Sequence, residues 1–133
     1  ISRWSSPRKD FPMNKPGYYD WRLTLGRFHA DKAAEILAEL GLTDSDFIDN
    51  LKSVIRKEKI KTNPDTQVME DCACLVFIEN HFLDFAKDYT EDEDKLIKIV
   101  QRTWKKMSEK AHKAALALDL PAEALAVIGK ALA

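Results

Sequence analysis

A histidine and an aspartate stand where two predicted helices should turn apolar side chains inward. His29 shares the helical spacing of Leu25 and Ile36, and Asp71 shares that of Ile78. An imidazole and a carboxylate directed into one core must be satisfied, either by each other or by a shared metal ion or ligand. The pair is therefore the first candidate for a functional site.

Two further polar side chains fall in line with this pair. Arg22 precedes His29 by two helical turns, with a drift of about 20°, and Gln67 precedes Asp71 by one turn. If the two helices pack together, the four side chains converge on a polar pocket within an apolar surround, where a ligand would bind. The same groups could instead hydrogen-bond one another and hold the helices in register. Both interpretations stay open.

Basic side chains supply candidates for binding phosphate. Arg8 lies in a Pro-rich loop, and a guanidinium on an anchored loop can hold phosphate with two hydrogen bonds, or can pin the loop itself. Lys57 belongs to a basic cluster at the end of the second predicted helix, where cations also suit the helix dipole. Most such clusters of basic side chains are simply solvent-exposed helix surface. The candidate substrate-binding residues are Arg8, Arg22, Lys57 and Gln67.

Composition limits the class of protein. The 133 residues carry 21 basic and 22 acidic side chains, a net charge of −1, which provides no overall field for nucleic acid or an anionic membrane. No apolar run approaches the roughly 18 residues of a membrane span. Cys72 and Cys74 point to opposite sides of a helix, so no disulfide joins them. We expect an intracellular protein of the cytoplasm or an organellar matrix.

The chain is predicted to be all-α, one compact helical domain of about five helices after an irregular Pro-rich loop over residues 5–17. Helix starts are indicated by capping residues and helix ends by glycine or proline. The helices are expected over residues 18–40, from the cap Thr43 past Ile55, from Pro64 to residue 87, from the cap Thr90 through Ala111, and from Pro121 through Leu132.

Short motifs follow one another along nearly the whole chain: Arg3-Trp4, Pro7-Arg8, Pro12, Gly17-Tyr18, Trp21-Arg22, Phe28-His29-Ala30, Gln67, Glu70-Asp71, Leu75-Val76-Phe77 and Lys106-Met107-Ser108. This succession resembles a family of short proteins known only as a domain of unknown function. The helical order of that family is similar to the HD superfamily of metal-dependent phosphohydrolases. In the superfamily a His, a His-Asp doublet and a distal Asp bind one or two metal ions that activate water against a phosphate ester.

The resemblance implies a catalytic and metal-binding role for His29, as the doublet histidine, and for Asp71, as the distal aspartate. Ala30 stands where the doublet aspartate is expected and cannot bind a metal. The first histidine would precede Ile1, so we expect an upstream helical segment that is missing from this chain. A divalent metal site is therefore incomplete here, since catalytic metals usually take three protein ligands.

Two functional hypotheses follow. The first is a degenerate HD-like phosphohydrolase, or a binder of a phosphate-containing small molecule. The second is a non-catalytic helical subunit for interaction or assembly, in which the polar pair serves packing and a protein partner or upstream segment packs on the N-terminal end. Whether the chain is an enzyme stays open.

The stretch Lys106-Met107-Ser108-Glu109-Lys110 resembles the KMSKS signature of class I aminoacyl-tRNA synthetases. That signature belongs on a mobile loop beside a parallel nucleotide-binding sheet. Here the stretch is expected in the middle of a helix, with Met107 on the buried side. The sequence therefore does not favour a synthetase.

Overall fold

Helices make up all the regular structure that the computed structural model describes, which covers residues 5–133 and contains no strand. The all-α prediction is confirmed, but residues 5–133 form seven α-helices rather than about five. The motif Arg3-Trp4 lies outside the described residues. The helices are α1 (Lys15–Glu39), α2 (Ser45–Ile55), α3 (Pro64–Asn80), α4 (Phe82–Ala86), α5 (Glu93–Lys106), α6 (Glu109–Leu116) and α7 (Ala122–Leu132).

The chain divides into two compact units, unit 1 (Ile1–Thr66) and unit 2 (Gln67–Ala133). That the two form one domain, and that a further helical segment precedes them, stay predictions. No helix within residues 5–133 is both long enough and apolar enough to cross a membrane.

Helix α1 begins inside the stretch predicted to be irregular. The Asn14 side chain caps it by accepting a hydrogen bond of 2.8 Å from the Gly17 amide. Pro16 fits because the first helical turn needs no amide donor. A Cβ at Gly17 would lie 2.0 Å from the Pro12 carbonyl oxygen, so only glycine lets the preceding loop pack this closely. The loop is thus bound to the helix start.

Helices α1 and α2 form an antiparallel hairpin in unit 1. The chain turns at Gly41, whose φ of +78° is one that glycine adopts without strain. Asp44, and not the predicted Thr43, caps α2 by accepting from the Phe47 amide at 2.8 Å. A carboxylate is the stronger cap at a positive helix terminus. The buried residues of the hairpin are Trp21, Leu25, Ala30 and Val54.

The apolar face predicted for α1 is only partly buried. Leu25 is 4% exposed, but Ile36, expected on the same face, is 43% exposed. Trp21 is an interior anchor, and its indole nitrogen donates to the Ser6 carbonyl at 2.8 Å. The buried contacts of α1 therefore concentrate in its first half.

Helix α3 begins as predicted and ends early. Asn63 accepts a hydrogen bond of 3.0 Å from the Asp65 amide, as a capping residue before Pro64 should. The helix stops at Asn80 rather than near residue 87, because His81 leaves the helical conformation with φ −127° and ψ −13°. The remainder forms α4 and a short 3-10 turn.

The long fourth helix of the sequence prediction is two helices. Asp92, instead of Thr90, caps α5 through the Lys95 amide at 3.1 Å. After Lys106 the backbone at Met107 becomes extended, with φ −82° and ψ 149°. Ser108 then caps α6 by accepting from the Ala111 amide at 3.2 Å.

The synthetase-like stretch therefore does not lie in the middle of a helix, and that prediction is wrong. It lies at the α5–α6 junction, with Met107 buried as expected. The junction connects two helices and no strand of residues 5–133, so it still lacks the parallel sheet to which that signature belongs.

Unit 2 holds a contiguous hydrophobic core between α3 and α7. In α7 the buried residues are the small Ala124 and Ala131 with Ile128, whereas Leu125 (49% exposed) and Leu132 (39% exposed) face outward, against prediction. No disulfide joins Cys72 and Cys74, as expected. The core residues are Cys74, Ile78, Phe82, Leu96, Val100, Met107, Ala111, Ala115, Leu120, Ala124, Ile128 and Ala131.

Candidate functional site

A cleft of about 630 Å³ lies in unit 1 between the first half of α1 and the end of α2. Arg22 and Arg27 border it from α1, and Arg56 and Lys57 border it from the turn that follows α2. Among residues 5–133, Glu58 is the one acidic residue of its lining. We call this surface the basic cleft. Its volume lies within the range of about 300–1,000 Å³ that is typical of sites for small molecules.

The hairpin geometry places the cations together. In an antiparallel pair with a tight turn, residues at equal distances from the turn face each other. Gly26 and Arg56 are equally far from Gly41, and a Cβ at Gly26 would lie 3.7 Å from the Arg56 Cα. Because Gly26 has no side chain, the backbone of α1 lies close to the backbone of Arg56 at the floor of the cleft.

The chain turns sharply directly after α2, at Arg56 and Lys57. Lys57 has φ +57°, a left-handed conformation that costs a residue with a Cβ roughly 1–2 kcal/mol. Its amide donates to the Val54 carbonyl at 3.0 Å, and the Glu58 amide donates to the Ser53 carbonyl at 3.0 Å. These hydrogen bonds satisfy the last carbonyls of the helix and hold the strained turn.

Arg56 is positioned by an ion pair with α1. Asp31 lies 2.8 Å from the Lys52 ammonium and 3.6 Å from the Arg56 guanidinium. The hydrogen bond from Lys52, together with both positive charges, lowers the pKa of Asp31. The Arg56 Nε is buried and has no hydrogen-bond partner among residues 5–133. Part of this guanidinium is therefore not used by the fold.

Arg22 and Arg27 make fewer interactions than Arg56. Both are exposed, and neither makes an ion pair or a hydrogen bond within the part of the chain that the structure describes. His29 also lines the cleft, beside the Phe28 ring at 5.7 Å between centroids. Its Nε2 is buried and finds no partner in residues 5–133. Such atoms are rare in native proteins, so packing alone does not explain a histidine here.

Asp71 lies in unit 2 and is fully engaged there. One carboxylate oxygen accepts from the Ser108 amide at 2.8 Å and from Gln67 Nε2 at 2.9 Å. The other accepts from the Ser108 hydroxyl at 2.5 Å. Gln67 Nε2 also donates to the Lys106 carbonyl at 2.8 Å. Gln67 and Asp71 thus form a clasp, which we call the Asp71 clasp, that ties α3 to the α5–α6 junction.

The hydrogen bonds determine the charge state of this carboxyl group. Burial by itself would raise the pKa of Asp71. The hydroxyl and amide of Ser108 and the side chain of Gln67 outweigh it, with a smaller electrostatic contribution from His112, so the pKa lies below its usual value. Asp71 is therefore ionised at neutral pH.

Asp71 does not fit a metal ligand in this arrangement. Both of its oxygens already accept from N–H or O–H donors, which a divalent ion would have to displace. Among residues 5–133 no group of three or more His, Cys, Asp or Glu side chains lies together in a way that could hold a metal. The metal-binding and catalytic roles of His29 and Asp71 stay predictions.

Arg8 holds its own loop. Its guanidinium donates to the carbonyls of Phe11 at 3.2 Å, Pro12 at 2.9 Å and Asn14 at 3.3 Å. These are the residues immediately before α1, so Arg8 pins the loop to the start of that helix. Its phosphate-binding role stays a prediction.

The six predicted site residues therefore form two groups and one outlier. Arg22, His29 and Lys57 meet in the basic cleft. Gln67 and Asp71 meet in the Asp71 clasp. The predicted meeting of the two groups involves both units and stays a prediction.

Sequence reasoning missed Arg27 and Tyr19 as cleft residues. Their signal is present, because Tyr19, Leu23 and Arg27 repeat at four-residue spacing beside the line of Arg22 and His29.

Comparison with known proteins gives one match. The model of the family described as Domain of unknown function (DUF4202) matches residues 1–128 of the chain. No curated protein and no solved structure matches it.

Proposed function

The chain belongs to the DUF4202 family, and on this premise we propose that its basic cleft binds a phosphate-containing small molecule. The observation that supports the proposal most is the convergence of four cations on one cleft within a single hairpin. They are Arg22, Arg27, Arg56 and Lys57.

The chemistry of the lining suits phosphate. Guanidinium groups bind phosphate oxygens with two parallel hydrogen bonds, and three of the four cations are arginines. The local charge contrasts with the whole chain, whose net charge is −1. Since Arg22 and Arg27 are exposed and make no ion pair within residues 5–133, a ligand would not have to break one to reach them.

Hydrolysis by an HD-like metal centre is the finer form of the first hypothesis. It rests on the motif resemblance and needs both His29 and Asp71 as ligands. Because the carboxylate of Asp71 serves the clasp in unit 2, we propose binding rather than hydrolysis.

The test is a calorimetric titration of the full chain with inorganic triphosphate at low salt. We expect saturable binding that weakens as salt increases, since the contacts are ionic. Arg22→Ala and Arg27→Ala should each weaken it about tenfold, the loss of one charge-assisted contact. Arg102→Ala is the matched control, because Arg102 is an exposed arginine of α5 outside the cleft.

Equal losses in all three variants would mean that triphosphate binds by general surface charge, and the proposal would fail. Absence of binding to a folded wild-type chain would also overturn it. That second result favours the alternative of a non-catalytic interaction or assembly subunit.

A further inference from the structure

We infer that the basic cleft takes a nucleoside phosphate, with the phosphates on its arginines and the base on an aromatic and aliphatic wall formed by Tyr19 and Leu23. This inference rests on the proposed function and names the class of ligand. The juxtaposition that supports it is the half-exposed ring of Tyr19 in one cleft with Arg22 and Arg27, which make no ion pair within residues 5–133.

The size of the cleft exceeds what an inorganic anion needs. A phosphate or a short polyphosphate fills a small part of about 630 Å³. Pockets in this range bury organic ligands and are lined by apolar side chains with a few polar groups. The basic cleft has this mixed character, since Leu25 and Ile55 line it together with the cations.

One side of the cleft is apolar although it faces solvent. Tyr19 is 54% exposed and Leu23 is 58% exposed, and the two residues lie one turn apart on α1. The Tyr19 ring has the Lys15 ammonium 6.0 Å from its centroid and meets Tyr18 edge to face at 5.9 Å. Nucleobases stack on rings of this kind with little regard to base identity.

The spacing along α1 matches the length of a nucleotide. With a rise of about 1.5 Å per residue, Tyr19 lies about 10 Å along the helix axis from Gly26. Gly26 is the position of α1 that lies opposite Arg56. A base at Tyr19 therefore leaves its 5′-phosphates between the arginines of the two helices.

The inference is tested by titrating the full chain, without metal ions, with adenosine triphosphate, inorganic triphosphate and adenosine. We expect adenosine triphosphate to bind about tenfold more tightly than inorganic triphosphate, which corresponds to one stacking contact. Tyr19→Ala should remove this advantage and leave the affinity for inorganic triphosphate unchanged. Tyr19→Phe should retain it, because the ring and not the hydroxyl makes the contact.

Tyr18→Ala is the matched control, since Tyr18 is the neighbouring half-exposed tyrosine and does not line the cleft. Its melting temperature and that of Tyr19→Ala should be compared first, so that a loss of folding is not read as a loss of stacking.

Equal affinities for adenosine triphosphate and inorganic triphosphate would overturn the nucleoside inference and leave the phosphate-binding proposal standing. An advantage that survives in Tyr19→Ala would also overturn it, because the base would then lie elsewhere. Failure of both triphosphates to bind would remove the proposed function and the inference together.

Discussion

The two units differ in whether the polar side chain on a predicted apolar helix face is fully hydrogen-bonded. In unit 2, both oxygens of Asp71 are used by Ser108 and Gln67, and the clasp joins helices around a contiguous core. In unit 1, the Nε2 of His29 is buried without a partner among the described residues, in a cleft with Arg22 and Arg27, which make no ion pair there. The carboxylate of Asp71 is thus satisfied within its own unit, whereas the imidazole Nε2 of His29 is not satisfied by the described residues.

The difference separates residues that stabilise the fold from residues that we propose to bind a ligand. His29 and Asp71 look equivalent in the sequence, because each interrupts an apolar helical face. What distinguishes them is the availability of donors and acceptors around each side chain. A satisfied carboxylate contributes to stability, whereas an unsatisfied buried atom reduces it and needs a functional explanation.

The largest effect on stability is expected from substitution of Asp71. Asp71→Ala removes three hydrogen bonds to an ionised group and leaves Ser108 without its acceptor. We expect a loss of about 2–3 kcal/mol in the free energy of unfolding, measured by urea denaturation. Affinity for inorganic triphosphate should not change, because Asp71 does not line the cleft.

Asp119→Ala is the matched control, since Asp119 is exposed and makes no hydrogen bond or ion pair within residues 5–133. It should leave the unfolding free energy unchanged within about 0.5 kcal/mol. If Asp71→Ala is as stable as this control but loses triphosphate binding, Asp71 is a ligand-site residue and the contrast between the units disappears.

The pH dependence of the unfolding free energy tests the stabilising role of the Asp71 carboxylate. The pKa of Asp71 is lowered in the folded chain. Its stabilising effect is therefore fully present above the unfolded-state value of about 3.9 and is lost as the pH falls through the folded value. The difference in unfolding free energy between wild type and Asp71→Asn should shrink as the pH is lowered from neutral to acid.

Denaturation of both proteins at a series of pH values measures that difference, in which the other carboxyl groups cancel. A difference that stays constant down to the acid limit would contradict the assigned hydrogen bonds of the clasp.

The smallest effect is expected at His29. His29→Leu replaces a buried unpaired nitrogen with an apolar group, and should raise the free energy of unfolding by about 1 kcal/mol while weakening triphosphate binding a few-fold. His81→Leu is the control, because His81 is exposed between α3 and α4. A loss of stability comparable to that of Asp71→Ala would show that His29 has a partner, and the two units would then be alike.

Helix starts were predictable where a single residue can serve as cap. Asn63 before Pro64 is such a case, and the structure confirms it. Where a threonine and an aspartate stand within two residues of each other, the aspartate caps the helix, as Asp44 and Asp92 do. The choice depends on the electrostatics of the helix terminus, which a capping motif alone does not weigh.

Helix interruptions were the part that periodicity could not reveal. The apolar spacing continues through Met107, which is buried, so the sequence reads as one long helix. The break arises because Ser108 is bound by Asp71 from far along the chain. A contact at that sequence distance leaves no local signal.

Only part of the basic cleft could be predicted from the sequence. Spacing and charge identify Arg22, His29 and Lys57, but they place Lys57 in a different group of residues from Arg22 and His29. Their meeting follows from the antiparallel hairpin, in which Gly26 faces Arg56 across the turn. Counting outward from Gly41 would have brought them together, whereas the conformation of Lys57 required the structure.

The two cysteines of the chain have a practical consequence for studying it. Both lie in α3, within unit 2, and only Cys72 is exposed, while Cys74 is buried. A maleimide dye added to the unaltered folded protein will therefore attach at Cys72 alone. Unit 1 contains no thiol, so the fluorophore marks one half of the molecule and leaves every residue of the cleft chemically unmodified.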